Sequence, residues 1–265
     1  MKKYILFTFL IFLLAGCSVK KAPLSDLDVI KQRGYIIVGV KEDSPPFGYY
    51  KDNQFKGLDI EIARAIAKTI FNSDLPDKIR FVAVNPQNRI AKLNAKEIDL
   101  IVATLSVNDK RKLVVNFSEP YYVANQKLMV SKNSKITNLS YFNTHGRLGV
   151  VLGTLGETTI HLVAPNAQVV GAKNYDDLIY SIKNGDVEGV LGDDCILKGY
   201  DIKDFKIINR SYSTQHYAVG ARKSDESKEL LENVNYAIAT LKDEKKLDIL
   251  NEYFESNKND KKAAN

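Results

Sequence analysis

Strand and helix patterns alternate along this chain in two series, and a long extended run follows each series. The first series occupies residues 25–117 and the second residues 147–191, while the extended runs occupy residues 123–131 and 215–221. Short β-branched runs indicate buried strands, and apolar residues at helical spacing indicate the helices between them. A chain with this pattern crosses twice between two lobes. We therefore predict an α/β fold of two lobes, with two hinge crossovers and a ligand cleft.

The two extended runs also set the expected domain boundaries. Lobe 1 is predicted to comprise residues 25–126 and 216–256, and lobe 2 to comprise residues 127–215. The chain would then cross between the lobes near residues 127–131 and again near residues 215–219. With 265 residues, of which 45% are hydrophobic, the chain is long enough for two modest domains.

The N-terminus has the form of a bacterial export signal. Residues 1–16 begin with two lysines, continue as an apolar run and end in small residues. The run is shorter than the about 20 residues of a comfortable membrane span. Residues 14–17, LAGC, resemble a lipobox, in which the cysteine is acylated and becomes the first mature residue. We expect a protein exported and anchored by lipid at Cys17 to a bacterial membrane, on its periplasmic side or at the cell surface; the alternative is an ordinary signal peptide.

The formal net charge of +6 lies at the ends of the chain. The lysine pairs at residues 2–3 and 20–21 and the tail at residues 257–265 contribute all of it, which leaves residues 22–256 neutral. A neutral body is unsuited to tracking a phosphate backbone, so we expect no nucleic-acid partner. The tail is basic and poor in apolar residues, which predicts disorder.

The chain has two cysteines, and the lipid would occupy one of them. With Cys17 acylated, Cys195 has no partner for an intrachain disulfide. We interpret Cys195 as a small buried hydrophobic residue.

Residues 99–122, DLIVATLSVNDKRKLVVNFSEPYY, hold the strongest candidate site. A short apolar strand ends at Ala103 and is followed by Thr104, Ser106 and Arg111. The carboxyl end of such a strand is where ligands bind in α/β proteins. Hydroxyl groups beside an arginine suit a small carboxylate, because the guanidinium can bind both oxygens at once. The alternative is a hydroxyl-rich turn followed by a solvated charged run.

Three further segments carry candidate binding groups. The helix that begins near Leu155 offers free backbone amides and the positive end of its dipole to an anion. A strand in the second series runs into Asp193. The proline-rich loop at residues 41–50 carries Phe47, which either covers a ligand or anchors the loop by packing.

Five segments in order resemble family 3 of the bacterial extracellular solute-binding proteins, the polar amino-acid receptors of ABC importers. They read VGVKEDSPPFGYY, KGLDIEIARAIAK, DLIVATLSVNDKRKLVVNFSEPYY, LGVVLGTLGETT and GVLGDDCI. The resemblance covers residues 25–256 and implies a type II, periplasmic-binding-protein-like fold. It also implies a monomeric receptor without cofactor, metal or enzymatic activity, which delivers its amino acid to permease and ATPase subunits.

The resemblance implies roles for the candidate residues. Thr104 and Ser106 would bind main-chain groups of the amino acid, and Arg111 would clamp its α-carboxylate. The other implied contacts are backbone amides around Thr154 and Leu155 for the same carboxylate, Asp193 for the α-ammonium, and Phe47 as a cover. The family commonly has two hydroxyl residues after the glycine of that second-lobe turn, whereas this chain has Thr154 and then Leu155.

The likeness is greatest to the aspartate- and glutamate-binding members, through Lys41, Arg89 and Tyr175 at matching positions. Two cations besides Arg111 would suit a second carboxylate, so we expect an acidic amino acid. In the alternative, Lys41 is a solvated loop lysine and Arg89 braces a pocket for a neutral side chain. Cysteine-, cystine- and glutamine-binding receptors are the corresponding alternatives.

Two other classes of protein share this architecture. A dehydratase-like enzyme would need catalytic groups, yet His145, His161 and His216 are isolated in the sequence and no nucleophile–base pair is visible. A sensor or surface adhesin would use the same lobes without an importer.

Overall fold

A computed structural model describes residues 23–200, 202–243 and 253 of the protein. Its helices are α1 (Asp26–Arg33), α2 (Leu58–Phe71), α3 (Arg89–Asn94), α4 (Asp109–Lys112), α5 (Leu155–Val163), α6 (Tyr175–Lys183), α7 (Asp194–Gly199) and α8 (Lys228–Asp243). No helix within these residues combines the length and apolar character needed to cross a membrane. The predicted signal segment at residues 1–16, Cys17 and the tail at residues 257–265 lie outside the described residues.

The strands form two large sheets and one small one. In chain order they are β1 (Ile36–Val40), β2 (Asp43–Ser44), β3 (Gly48–Lys51), β4 (Gln54–Lys56), β5 (Ile79–Ala83), β6 (Leu100–Val102), β7 (Val115–Phe117), β8 (Tyr122–Ser131), β9 (Arg147–Val151), β10 (Gln168–Ala172), β11 (Gly189–Asp193), β12 (Phe205–Ile207), β13 (Ser213–Tyr217) and β14 (Gly220–Arg222).

The first lobe is built on a five-stranded sheet in the order β5-β1-β6-β14-β7. Strands β5, β1 and β6 are parallel, and β14 is antiparallel to both of its neighbours. Helix α2 buries Leu58, Ile62 and Ile66, which recur every four residues and therefore share one helix face. Helix α1 begins with a capping box between Ser25 and Asp28.

The second lobe is built on a sheet in the order β10-β9-β11-β8-β12, with β13 also paired to β8. Strands β10, β9 and β11 are parallel, and β8 is antiparallel to its three partners. Helix α5 follows β9 and helix α6 follows β10, as expected for parallel strands joined by helical connections. The predicted second βα series therefore forms a separate sheet.

The chain crosses between the sheets earlier than the sequence suggests. Strand β8 already pairs with β13 from Tyr122 onward, so the expected boundary between residues 126 and 127 falls inside a continuous strand. The two crossing segments, residues 118–121 and 217–219, run side by side, with Tyr121 donating its amide to the Tyr217 carbonyl at 2.9 Å. All of β8 is paired within the second-lobe sheet, so the extended sequence pattern of residues 123–131 contains no break that marks the crossing.

Phe47 anchors the proline-rich loop by packing in the protein interior. The Phe47 side chain is fully buried, with its ring centroid 4.9 Å from that of Tyr122 and 5.4 Å from that of Tyr217. Both pairs are edge-to-face, at 72° and 82°. This packing favours the alternative, a packed loop anchor, and the role of Phe47 as a ligand cover stays a prediction.

Replacing Phe47 with alanine should lower the free energy of unfolding by about 3–5 kcal/mol, because a large buried ring leaves a cavity and loses two aromatic partners. Urea denaturation followed by circular dichroism measures the loss. The control is Tyr180→Ala, which removes an aromatic ring that is mostly exposed to solvent. Equal midpoints for the two variants would contradict the anchor role.

Candidate functional site

A small cavity lies where the two lobes meet. The sequence-predicted residues that line it are Lys41, Arg89, Thr104, Ser106, Arg111, Thr154, Leu155, Tyr175 and Asp193. Phe47 does not line it. Pro86, Gln126 and Ile196 also line it and were not singled out from the sequence.

The cavity forms where strands from both sheets end. Thr104 and Ser106 follow β6 of the first lobe, Thr154 follows β9 of the second, and Asp193 is the last residue of β11. Strands β9 and β11 are parallel, so their carboxyl ends meet at one edge of the sheet. The lobes face each other with these edges, which brings groups from distant segments together.

Thr104 is held in place by a buried carboxyl group. Its φ is +46°, a left-handed conformation that is uncommon for a residue other than glycine. The Thr104 amide donates to Asp59 Oδ2 at 3.1 Å, and the Tyr121 hydroxyl donates to Asp59 Oδ1 at 2.8 Å. Burial raises the pKa of Asp59 to about 7. Asp59 lies in the first turn of α2, and no local sequence pattern indicates this contact.

Arg111 joins the two lobes. Its Nη1 donates to the Ser106 carbonyl at 2.8 Å, and its Nη2 donates to the Gly153 carbonyl of the second lobe at 3.1 Å. A guanidinium has five N–H groups, so donors remain for an anion in the cavity. Burial lowers the pKa of Arg111, and the nearby Asp193 opposes that shift.

Asp193 supplies a carboxylate to the cavity. Its Oδ2 accepts a hydrogen bond from the Tyr217 hydroxyl, and burial raises its pKa to about 6. The next residue, Asp194, is ion-paired with Lys127 at 3.2 Å instead. Of the two consecutive aspartates, Asp193 therefore has no cationic side chain paired with it among the described residues.

Arg89 carries its charge into the protein interior. The residue is 2% exposed, although most arginines at such a helix start face water. Its Nη1 donates to the Ala103 carbonyl at 2.6 Å, and its buried Nε has no hydrogen-bond partner among the described residues. Burial, and secondarily the charge of Arg111, lowers the pKa of Arg89 to about 9.

Lys41 also lines the cavity, but its ammonium group is already paired. The residue is 1% exposed, so it is not a solvated loop lysine. Its Nζ lies 2.6 Å from Asp43 Oδ1. Burial lowers the pKa of Lys41, and Asp43 opposes the shift. Asp43 was not singled out from the sequence, because a carboxylate two residues from a lysine is common in loops.

The second-lobe turn offers backbone rather than side-chain donors. The Thr154 hydroxyl donates to the Val151 carbonyl at 2.7 Å and accepts from the Gly156 amide at 3.3 Å. It therefore caps α5 and is occupied by main-chain groups. Gln126 is held similarly, since its Oε1 accepts from the Thr159 hydroxyl at 2.6 Å, leaving the amide nitrogen as its remaining polar atom.

The lobes touch directly on both sides of the cavity. On one side, Gln87 Nε2 donates to the Leu152 carbonyl at 2.6 Å. On the other, the Tyr175 amide donates to Asp43 Oδ2 at 2.6 Å. These contacts close the cleft over the cavity. Within the described residues, no group of three or more His, Cys, Asp or Glu side chains is arranged to hold a metal ion.

Residues 36–256 match the family described as bacterial extracellular solute-binding proteins, family 3. This match covers most of the chain, and the chain belongs to that family. Its fold is the two-lobe, type II fold of periplasmic amino-acid-binding proteins. Residues 1–18 match a prokaryotic membrane lipoprotein lipid attachment site, and the protein is exported and lipid-anchored.

Individual relatives differ in the amino acid they are named for. The glutamine-binding protein of Geobacillus stearothermophilus is 31% identical over 79% of this chain and 87% of its own length. A glutamate-binding protein of Corynebacterium glutamicum is 27% identical over 74% of this chain and 70% of its own. The crystal structure of the cysteine-binding protein from Campylobacter jejuni superposes with a TM-score of 0.79 at 27% identity, covering 88% of this chain and 92% of that one.

Replacing Asp59 with asparagine should flatten the pH dependence of stability. Because burial raises the pKa of Asp59 to about 7, the folded protein keeps a proton that the unfolded chain has lost between about pH 4 and pH 7. The free energy of unfolding contributed by this group therefore falls as the pH rises through that window. Urea denaturation at about pH 5 and about pH 7.5 measures the difference.

The matched control is Glu61→Gln, an exposed carboxyl in the same helical turn, which should leave the wild-type slope unchanged. A wild-type slope in Asp59→Asn would show that the buried carboxyl does not titrate in this range.

Proposed function

We propose that this solute-binding lipoprotein is the receptor of an amino-acid ABC importer and that it captures aspartate or glutamate. The observation that carries the acidic specificity is the charge balance of the cavity. Arg89 and Arg111 both line it, Asp193 is a carboxylate without an ion-paired cation among the described residues, and Lys41 is neutralised by Asp43. A ligand with one net negative charge balances the remaining positive charge.

In this proposal Arg111 and Asp193 bind the α-carboxylate and the α-ammonium, the two charged groups that all amino acids share. The remaining N–H groups of Arg111 bind the α-carboxylate, with help from backbone amides at the start of α5. Asp193 accepts from the α-ammonium, and Thr104 and Ser106 bind main-chain groups of the ligand. A zwitterion that leaves water needs both charges compensated, and this pair supplies both signs.

Arg89 binds the side-chain carboxylate of the ligand in this proposal. Its buried Nε has no protein partner among the described residues, and a buried donor without an acceptor is costly. A ligand carboxylate supplies both the missing acceptor and the missing counter-charge. Lys41 contributes less than the sequence suggests, because Asp43 already holds its ammonium group.

The second candidate is a receptor for glutamine or cysteine. The engaged state of Lys41 favours it, because among the described residues Arg89 is then the one cation left for the ligand side chain. The relatives named for glutamine and cysteine favour it as well. Against it, a neutral side chain brings no carboxylate to the buried charge of Arg89, which only the nearby Asp193 and two tyrosines partly oppose.

Arg89→Met should remove the preference for acidic ligands. Isothermal titration calorimetry of the wild type with aspartate, glutamate, glutamine and cysteine should give the acidic ligands the highest affinity. The variant should lose about 30-fold or more in glutamate affinity, because the ligand carboxylate is buried without its partner, and should lose much less for glutamine. The control is Lys92→Met, on the same helix and outside the cavity.

A wild type that binds glutamine or cysteine tightly and ignores both acidic residues would refute the acidic specificity while leaving the receptor function intact. A calorimetric heat signal that persists at constant rate after each injection, without saturating, would instead indicate turnover, as expected of a dehydratase-like enzyme. Saturating heat without any importer subunits encoded nearby would favour the sensor or adhesin class.

We further propose that the lobes close on the ligand by a hinge at residues 118–121 and 217–219. A ligand that contacts both lobes shifts the population toward the closed form. The closed form depends on the close approach of Gly199 to the proline loop, where a Cβ on Gly199 would lie 2.0 Å from the Pro45 carbonyl oxygen. The protein acts as a monomer that meets its permease while lipid chains on Cys17 hold it at the membrane.

Gly199→Ala should therefore prevent full closure. Alanine is well tolerated at the end of α7, so the clash across the cleft is the main consequence of the change. Ligand affinity should fall by about tenfold or more, and small-angle scattering at saturating ligand should give a larger radius of gyration than for the wild type. The control is Lys183→Ala, an exposed change in the same lobe. Wild-type radius and affinity in Gly199→Ala would contradict the proposed closure.

A further inference from the structure

Asp43 occupies the centre of the contact between the proline loop and the second lobe. Its Oδ1 lies 2.6 Å from Lys41 Nζ and accepts from the Ser44 hydroxyl at 3.1 Å. Its Oδ2 accepts from the Tyr175 amide at 2.6 Å, and its carbonyl oxygen accepts from the Tyr200 hydroxyl. The residue is 4% exposed. All of its acceptor groups are thus engaged, and two of the donors come from the opposite lobe.

Lys41 connects this contact to the ligand cavity. Its side chain lines the cavity together with Arg89 and Tyr175. Asp43 is the carboxylate with which it forms an ion pair among the described residues. The negative charge of Asp43 therefore decides whether the cavity wall presents one free cation or two to the ligand side chain.

We infer that Asp43 is a specificity-determining residue, which neutralises Lys41 and so leaves Arg89 to select the ligand side chain. This inference rests on the proposed binding of amino acids in the cavity. Asp43 does not touch the cavity itself in this arrangement, and it acts on the ligand through Lys41. Its second oxygen accepts from the Tyr175 amide of the opposite lobe, so the side chain that neutralises Lys41 is also held by a contact across the cleft.

The inference predicts a gain rather than a loss of selectivity when the charge of Asp43 is removed. Asparagine has the same shape, and its carbonyl oxygen can still accept from the Tyr175 amide. Its amide nitrogen is a donor and offers nothing to the Lys41 ammonium. A ligand carboxylate then takes the place of Asp43 in keeping the buried Lys41 protonated, and Lys41 becomes a second cation for that carboxylate. A neutral ligand gains only an ordinary hydrogen bond.

The test is the ratio of glutamate to glutamine association constants, measured by isothermal titration calorimetry. Asp43→Asn should raise this ratio by about tenfold or more over the wild type. The double variant Lys41→Met with Asp43→Asn should return the ratio to the wild-type value, whatever the absolute affinities become. Thermal unfolding monitors the fold, and Asp43→Ser, which also lacks the charge, should shift the ratio in the same direction.

An unchanged or lowered ratio in both Asp43→Asn and Asp43→Ser would overturn the inference. A raised ratio that persists in the double variant would overturn it too, because Lys41 would then not be the cause. These outcomes are separate from the proposed acidic specificity. That proposal fails if the wild type ignores acidic ligands, while acid binding gained in Asp43→Asn would still support the role of Asp43.

Discussion

The cost of burying charge is the constraint on which this site depends. A charge withdrawn from water must be compensated by a partner or by hydrogen bonds. Lys41 meets this requirement with Asp43, and Asp193 meets it in part with the Tyr217 hydroxyl. Arg89 does so only through one carbonyl, and its buried Nε is left without a partner among the described residues. The unfinished compensation is the physical reason to expect an anionic group in the cavity.

Hydrogen bonds from buried side chains also hold the backbone around the cavity in place. Asp59 holds the Thr104 amide at the end of β6, which keeps that residue in a left-handed conformation. Thr154 uses its hydroxyl to cap α5, so the second lobe offers main-chain donors. Arg111 bonds to carbonyls of both lobes. Groups held in place on each lobe converge at the cavity, and the proposed hinge closure would couple recognition of a ligand to the position of the lobes.

The candidate site could be predicted closely wherever its residues lie at the ends of strong strands. Thr104, Ser106 and Asp193 line the cavity because the carboxyl ends of the strands meet there, a rule that follows from topology. The role of Phe47 could not be decided from the sequence, since an aromatic residue on a proline loop has the same local pattern whether it covers a ligand or packs inside. Gln126 was missed because a single glutamine in a long strand carries no local signal.

The sequence by itself determined the two α/β series, the family and the export signal, because periodicity, strand length and motif order are properties of neighbouring residues. It did not determine which charged groups are buried or which contacts form across the cleft. Asp43 and Tyr175 are 132 residues apart and meet only across the closed cleft. Only the tertiary structure decided that Lys41 is buried and engaged and that Arg89 is incompletely compensated, since both facts depend on which side chains the fold withdraws from water.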